Sequence, residues 1–459
     1  MRQEKSTFGS RLGVVAATVG SAIGLGNVWR FPAEAQANGG AAFLIIYIVC
    51  VFVLGVPMML AEFSLGRAGG SDSVGNFKNL TPGSRWWVAG TLGLVASYLI
   101  LSFYMVVAGW TIEYMFDSIT GDLYAGYVPA SGNANATFFA DKMGEYVTSA
   151  WNPLVWTAVM IGLNLAVLLI GVRKGIEKLS NVLMPFLFVL MLVFCYVSLS
   201  QPGASEGVRF FLYPDFSKID IDVVINALGQ AFFSLSLGMG ILVTYSAYYP
   251  RETNLTSTAV SVSMLDFLMA LLMGLIIFPA VKSFGIGAST GELEGTTLVF
   301  VTLPEIFASM GNARLWAALF FLLLSVAALT STISIAEVSV AFVRDRFGVS
   351  RRKACLVVMA PLLLTSAACS LSLGGAPWLS VAGMPLFDFF DTFTTNLLLP
   401  VSSLAISIYV GWVLPKDFIG GQLTNLGTLG CRAVGPVRVA VRYVAPVLIA
   451  IILLSKALS

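Results

Sequence analysis

Asp266 sits inside the apolar run Val262-Ser263-Met264-Leu265-Asp266-Phe267-Leu268. A carboxylate at mid-bilayer costs at least a few kcal/mol unless it is paired, so Asp266 is a functional candidate by default. Arg30 poses the same problem in another apolar run and costs roughly 2.5–3.5 kcal/mol unpaired. Around Arg30 the chain reads Val19-Gly20-Ser21-Ala22-Ile23-Gly24-Leu25-Gly26-Asn27-Val28-Trp29-Arg30-Phe31-Pro32. A glycine in a helix interior costs about 1 kcal/mol against alanine, and this stretch holds three. In lipid a break there is tolerated only beside a cavity, where the freed backbone groups find partners. A second stretch, Gln230-Ala231-Phe232-Phe233-Ser234-Leu235-Ser236-Leu237-Gly238-Met239-Gly240, carries Gly-Met-Gly where the first carries Gly-Leu-Gly. The chemistry on offer is binding by backbone and short polar side chains.

Bond-making chemistry has little to work with. There is no histidine, which removes imidazole metal sites, Ser-His and Cys-His catalysis, and histidine proton relays. Cys50, Cys195, Cys355, Cys369 and Cys431 lie far apart, so buried packing thiols are the default reading. A membrane enzyme is therefore a weak reading. Of the 459 residues 57% are hydrophobic and 11% charged, with a mean hydropathy of +0.87. Soluble domains average about 25% charged residues, so this is an all-α integral membrane protein. A net charge of +2 gives no basic surface for nucleic acid.

About 20 apolar residues cross the hydrocarbon. Eleven such runs are predicted, at 12–36, 41–66, 87–117, 152–171, 177–200, 225–250, 257–281, 315–343, 354–373, 386–414 and 436–457. With residues 1–11 cytoplasmic, inner loops and flanks hold 19 of the 26 basic residues and the outer side six, a clear positive-inside bias. The two glycine breaks then open two five-span halves, 12–200 and 225–414, with 436–457 as an extra helix. Five is odd, so the halves enter from opposite sides. The expectation is one transporter domain with an inverted 5+5 repeat and a midplane site between broken helices 1 and 6. Small-residue helix packing is the competing reading of either break alone.

The core Gly-Leu-Gly-Asn-x-x-Arg-Phe-Pro, within Gly20 to Pro32, closely resembles the first-helix motif of the neurotransmitter:sodium symporters. Asn38-Gly39-Gly40-x-Ala42-Phe43, Gln230 to Gly240, Leu329-Thr330-Ser331 and Arg344-Asp345 extend the likeness over nearly the whole chain. The resemblance implies the leucine-transporter fold of a bacterial amino-acid transporter in the cell membrane, with sodium as co-substrate and the lipid bilayer as surroundings. Sodium is a hard cation and takes oxygen ligands. By resemblance one site uses the Ala22 carbonyl, Asn27, Ser234, Asp266 and the substrate carboxylate. A second uses the Gly20, Ile23 and Ala327 carbonyls with the Thr330 and Ser331 hydroxyls, although those hydroxyls could equally bond back to their own helix.

The resemblance also implies a substrate site. The carboxylate would face Gly24, Leu25 and Gly26, where a helix end favours an anion, together with the Tyr104 hydroxyl. The ammonium would lie near Phe233 and Ser236. The side chain would enter a pocket of Ile100, Phe233, Met239, Ser331 and Ile335, which suits hydrophobic or aromatic L-amino acids. Met239 stands where a bulkier phenylalanine is expected, and methionine adapts its shape. Asp266 departs from the asparagine that the leucine transporter of this family has at the corresponding position. Tyr47, Gln230 and Ser234 match the residues that chloride-dependent members use, but Ala270 replaces a serine. One reading covers both departures: the fixed charge of Asp266 replaces chloride. Arg30 and Asp391, with Asp388 as rival, form the implied outer gate. Lys5, in place of an arginine, and Asp345 form the inner one, braced by Tyr248 and with Phe8 in place of a tryptophan. Gly175 and Pro185 match a spacing that unwinds span five in related symporters; a plain proline kink fits as well. A proton-coupled transporter of the same fold is the alternative, with Glu62 and Glu337 as its candidate carboxylates. A channel or substrate-sensing receptor could use the same pocket.

Overall fold

The computed structural model describes residues 7–128, 137–285, 295–376 and 378–458. Helices account for nearly all of it, with a two-stranded hairpin, Ser380–Val381 against Met384–Pro385, on one loop. Among the described residues nine helices are long and apolar enough to span a membrane, and a bent pair makes a tenth. In chain order α1 is that pair, Arg11–Ala22 and Gly26–Ala37, followed by α2 (Ala41–Gly69), α3 (Trp87–Thr120), α4 (Asn152–Ile170) and α5 (Val172–Leu199). Next comes α6, a helix of 14 residues (Ile221–Ser234) and one of six (Ile241–Ser246) separated by a break. The remainder are α7 (Leu255–Phe284), α8 (Ala313–Phe347), α9 (Arg351–Ser372), α10 (Leu386–Val413) and α11 (Val434–Lys456). The apolar run 225–250 is thus not one helix, because its middle is occupied by the break.

Burial separates the bundle into centre and rim. In α3 and α8, 72% and 78% of the apolar window is buried, against 28% in α11 and 33% in α4. The apolar surface of α4 and α11 therefore faces lipid, while α3 and α8 wall the interior. Local signals set several starts: Ser10, Asp220 and Asn254 each accept a backbone N–H from the first turn of α1, α6 and α7, satisfying one of the orphan donors of a helix N-terminus.

The two breaks lie side by side. The first half of α1 ends at Ala22, Ile23 turns extended (ψ 103°), and the second half leaves at 56°. In α6 the chain passes through Ser236 (φ 54°), Gly238 (φ 75°) and Gly240 (φ 73°). Glycine takes such angles without strain, whereas Ser236 must be held there. Its hydroxyl donates to the Ser21 carbonyl at 3.0 Å, tying one break to the other. The Gly238 N–H donates to Glu62 Oε1 at 2.8 Å from α2. Each contact returns a partner to a backbone group that the break released.

Of the two readings left open for span five, the structure shows a closed helix: Gly175 lies in a wide opening turn, Val172–Glu177, and Pro185 lies inside the helix that follows. The Gly175 and Ile176 N–H groups both reach the Gly171 carbonyl, at 2.9 and 3.2 Å.

Where α2 crosses the second half of α6, Gly66 packs directly on the Val243 carbonyl and the Ser246 hydroxyl, leaving no room for a methyl group. Gly162 in α4 faces open space. Gly66→Ala should destabilise the folded protein by about 1–3 kcal/mol through overpacking, and Gly162→Ala should be neutral or slightly stabilising. Melting of the two variants side by side in detergent checks this; equal melting points would contradict the packing.

Candidate functional site between two helix breaks

Asp266, fully buried on α7, meets both breaks. Asn27 Nδ2 donates to Asp266 Oδ1 at 2.8 Å, and the Tyr47 hydroxyl donates to Oδ2 at 3.1 Å. Ser234 Oγ lies 2.9 and 2.8 Å from the two carboxylate oxygens and 2.6 Å from Asn27 Oδ1. A hydroxyl has one proton, so three acceptors compete for a single donor. Oxygens so crowded and short of protons suit a hard cation, whose charge replaces the missing hydrogens. Among the described residues no three His, Cys, Asp or Glu side chains group for a metal, so the donor set is one of amide, hydroxyl and carboxylate oxygens. Gln230 Nε2 lies 3.4 Å from the Gly26 carbonyl rather than on Asp266, and Ala270 is buried beside them with no donor to give.

A second oxygen cluster forms where α8 passes the first break. Ser331 Oγ is 3.3 Å from the Gly20 carbonyl and 3.1 Å from the Ile23 carbonyl, and can donate to only one of them. Both carbonyls are free because α1 stops at Ala22. Thr330 Oγ1 points back to the Val326 and Ala327 carbonyls of its own helix at 3.3 and 3.0 Å. The hydroxyl pair therefore divides: Ser331 faces α1, and Thr330 makes the back-bond common in membrane helices.

Between the clusters lies a cavity of about 30 Å³ lined by Ser21, Ala22, Gly24, Gly26, Ile100, Tyr104, Phe233, Ser234, Ser236, Met239, Ser331 and Ile335. Apart from Leu25, every residue assigned to the substrate from sequence is on this wall. Leu25 contributes from behind it: its N–H donates to the Tyr104 hydroxyl at 3.0 Å, which leaves the phenolic proton free to donate. A side chain at Gly24 would collide with Ser331 Oγ (2.7 Å) and the Tyr104 hydroxyl (2.8 Å). The glycine thus keeps the space where the two hydroxyls converge.

The ends of the chamber differ. On one side Arg30 lies over the Phe233 ring at 4.7 Å and 3.9 Å from Glu34. It makes no ion pair with Asp391, whose carboxylate accepts from the Thr395 hydroxyl at 3.1 Å, and Asp388 is exposed. On the other side Phe8 is buried among Tyr245, Tyr248 and Tyr249, and its N–H donates to the Tyr248 carbonyl at 3.0 Å. The Tyr248 hydroxyl donates to Glu337 at 2.9 Å, and Arg351 grips the same carboxylate with two nitrogens at 3.0 and 2.7 Å. Asp345 pairs with its neighbour Arg344 at 2.9 Å. Lys5, the expected partner of Asp345, lies outside the described residues.

Three contacts were not assigned from sequence. Glu62, named there only as a carboxylate of the proton-coupled alternative, holds the α6 break. Arg351 at the start of α9 forks onto Glu337 of α8, 14 residues earlier. Glu177 accepts the Gly9 N–H at 2.7 Å and the Ser10 hydroxyl at 3.0 Å, anchoring the start of α1. Their one signal was charge within or beside apolar runs, which does not name a partner.

Comparisons with known proteins agree with this geometry. The sodium:neurotransmitter symporter family matches residues 5–138 and 136–459. The chain is 34% identical to an uncharacterized sodium-dependent transporter, YhdH, of Bacillus subtilis (strain 168), over 99% of this chain and 98% of that one. It is 35% identical to an uncharacterized sodium-dependent transporter of Haemophilus influenzae, over 92% of each. The crystal structure of MhsT in complex with L-phenylalanine is 38% identical, with a TM-score of 0.86 over 98% of this chain and 100% of that one.

The Glu337–Arg351 fork gives a direct test of the sealed end. Arg351→Ala leaves a fully buried carboxylate uncompensated and should cost about 3–5 kcal/mol, whereas removing both charges in Glu337→Gln/Arg351→Met should recover most of it. Thermal unfolding of the two variants checks this; a double variant no more stable than Arg351→Ala would show that the pair does not act as a unit.

Proposed function

This chain belongs to the sodium:neurotransmitter symporter family, and on that premise we propose that it takes up hydrophobic or aromatic L-amino acids with sodium, through two sodium sites and without chloride. It is a multi-pass membrane transporter and not an enzyme. The observation that carries the substrate reading is the chamber between the breaks, with Gly24, Tyr104 and Ser331 at its polar end and Ile100, Phe233, Met239 and Ile335 forming its apolar wall. It offers no charged side chain to an acidic or basic substrate. The neighbour with L-phenylalanine bound supports the same class.

Two sodium sites are supported by the two proton-poor oxygen clusters. The first would take Ala22, Asn27, Ser234, Asp266 and the substrate carboxylate; the second Gly20, Ile23, Ala327, Thr330 and Ser331. Sharing the carboxylate makes ion and substrate binding mutually dependent. Each charge crossing 100 mV is worth about 2.3 kcal/mol, and a tenfold gradient adds about 1.4 kcal/mol. Two ions per neutral amino acid would supply about 7 kcal/mol. Chloride independence is supported by Asp266, whose carboxylate takes the hydroxyls of Tyr47 and Ser234 for itself. Arg30 with Asp391, and Lys5 with Asp345 braced by Tyr248, are the proposed gates. The proposed orientation places the N-terminus in the cytoplasm of a bacterial inner membrane, with 12–200 and 225–414 as inverted halves.

Binding of tryptophan, leucine, glycine and GABA to the purified protein tests the reading in sodium chloride, sodium gluconate and potassium chloride. Tryptophan and leucine should bind in both sodium salts and not in potassium. Equal binding in potassium would overturn sodium coupling and bring the proton-coupled alternative forward. Asp266→Asn should lose at least about tenfold in affinity in gluconate and recover part of it in chloride, since Tyr47 and Ser234 then face an anion. No chloride response in that variant would count against the charge-replacement reading.

A further inference from the structure

At the basic end of the bundle α10 and α11 diverge around a cleft of about 240 Å³ lined by Lys416, Arg438, Val439, Arg442 and Tyr443. Three of these five residues are cationic. Among the described residues none of the three has a carboxylate within 4 Å, and residues 418–459 hold no Asp or Glu. The cleft lies at the end where Arg67 of α2 binds Gln422 and Asn425 in the α10–α11 loop.

Arg442 is the informative member. Its guanidinium is covered by the Trp412 ring at 4.2 Å, with Tyr443 at 5.5 Å. Trp412 Nε1 donates to the Arg442 carbonyl at 2.8 Å, which fixes the stacked pair across the two helices. Stacking occupies a face of the guanidinium and leaves its in-plane N–H groups for acceptors. Arg442 Nε is buried with no acceptor among the described residues. A buried donor left unpaired costs about as much as a lost hydrogen bond, and a planar fork beside two further cations fits a phosphate.

Depth says where that phosphate comes from. Arg438 and Arg442 lie one turn apart, one and two turns into α11. Trp412 and Tyr443 are half exposed on the lipid-facing rim, where aromatic side chains mark the membrane interface. Val439, also half exposed, continues the wall as apolar surface. The geometry points to a specific site for an anionic phospholipid: the phosphodiester on Lys416, Arg438 and Arg442, and the acyl chains running along α10 and α11. Basic pockets between membrane helices on this face recognise lipid head groups in the same way.

Native mass spectrometry of the delipidated full-length protein tests this, with dioleoyl phosphatidylglycerol and dioleoyl phosphatidylcholine titrated separately and inorganic phosphate as competitor. Phosphatidylglycerol should bind at least about tenfold tighter than phosphatidylcholine and resist millimolar phosphate. Lys416→Gln/Arg438→Gln should weaken it about 25-fold, near fivefold per charge. Arg352→Gln/Lys353→Gln, which removes two exposed charges at the start of α9, should leave it within twofold. If the first double variant fails to fold, Arg438→Gln alone keeps the test and should read about fivefold. Equal binding of the two lipids, equal loss in both double variants, or displacement by phosphate would each overturn the assignment; the last would reassign the cleft to a soluble anion.

Discussion

Backbone polar groups in hydrocarbon must be satisfied by the protein itself, and the rest of this molecule follows from how that is done at two broken helices. Breaking α1 at Ala22 and α6 at Ser234 releases carbonyl and amide groups near the middle of the bundle. They are recovered by each other and by neighbours: Ser236 on the Ser21 carbonyl, Glu62 on the Gly238 amide, Tyr104 on the Leu25 amide, and Ser331 on the carbonyls of Gly20 and Ile23. Every one of these contacts crosses between helices. The breaks are stable only while α2, α3 and α8 stay packed around them, which is why the most buried spans are those that line the site.

The recovery is incomplete in one direction. Around Ser234 and around Ser331 the acceptors outnumber the donated protons, and rearranging hydroxyls cannot change that count. In water such lone pairs would be hydrated; inside a dry bundle they carry a standing demand for positive charge. Asp266 raises the demand at one cluster and leaves the other neutral. The two clusters therefore differ in electrostatic depth while being built from the same backbone device.

Closely spaced glycines, costly in a helix interior, made both breaks legible in the sequence. The costly charges Arg30 and Asp266 likewise drew attention to residues that the fold brings beside those breaks. The residues of the chamber wall were assigned by resemblance to the symporter family, through stretches around Gly24, Tyr104, Ser234 and Ser331, and the fold brings all but Leu25 of them to one cavity. Pairings across helices could not be assigned: Glu337 with Arg351, Glu62 with Gly238, and Glu177 with the start of α1 depend on which faces meet, and a single apolar run carries no record of its neighbour. The spacing of Gly175 and Pro185 left the course of α5 open between unwinding and a kink, and residue spacing does not carry the two N–H groups that the Gly171 carbonyl accepts at its start.

The two ends of the chamber are held with unequal strength, and that asymmetry bears on how it would open. At the Phe8 end an aromatic cage holds Phe8, and the Tyr248 hydroxyl and a bidentate Arg351 converge on Glu337. At the Arg30 end the cation rests on an aromatic ring and its candidate acidic partner binds a threonine instead. The Glu337–Arg351 pair ties α8 to the start of α9, and breaking a buried ion pair of this kind costs on the order of a few kcal/mol. Inverting a two-state equilibrium from 1:99 to 99:1 takes about 5.5 kcal/mol of differential binding. Charge delivered to the two oxygen clusters acts on the same α1, α6 and α8 segments that carry Phe8, Tyr248 and Glu337. Ligands that drew those segments together at the breaks would therefore act on the very helices that carry the aromatic cage and Glu337.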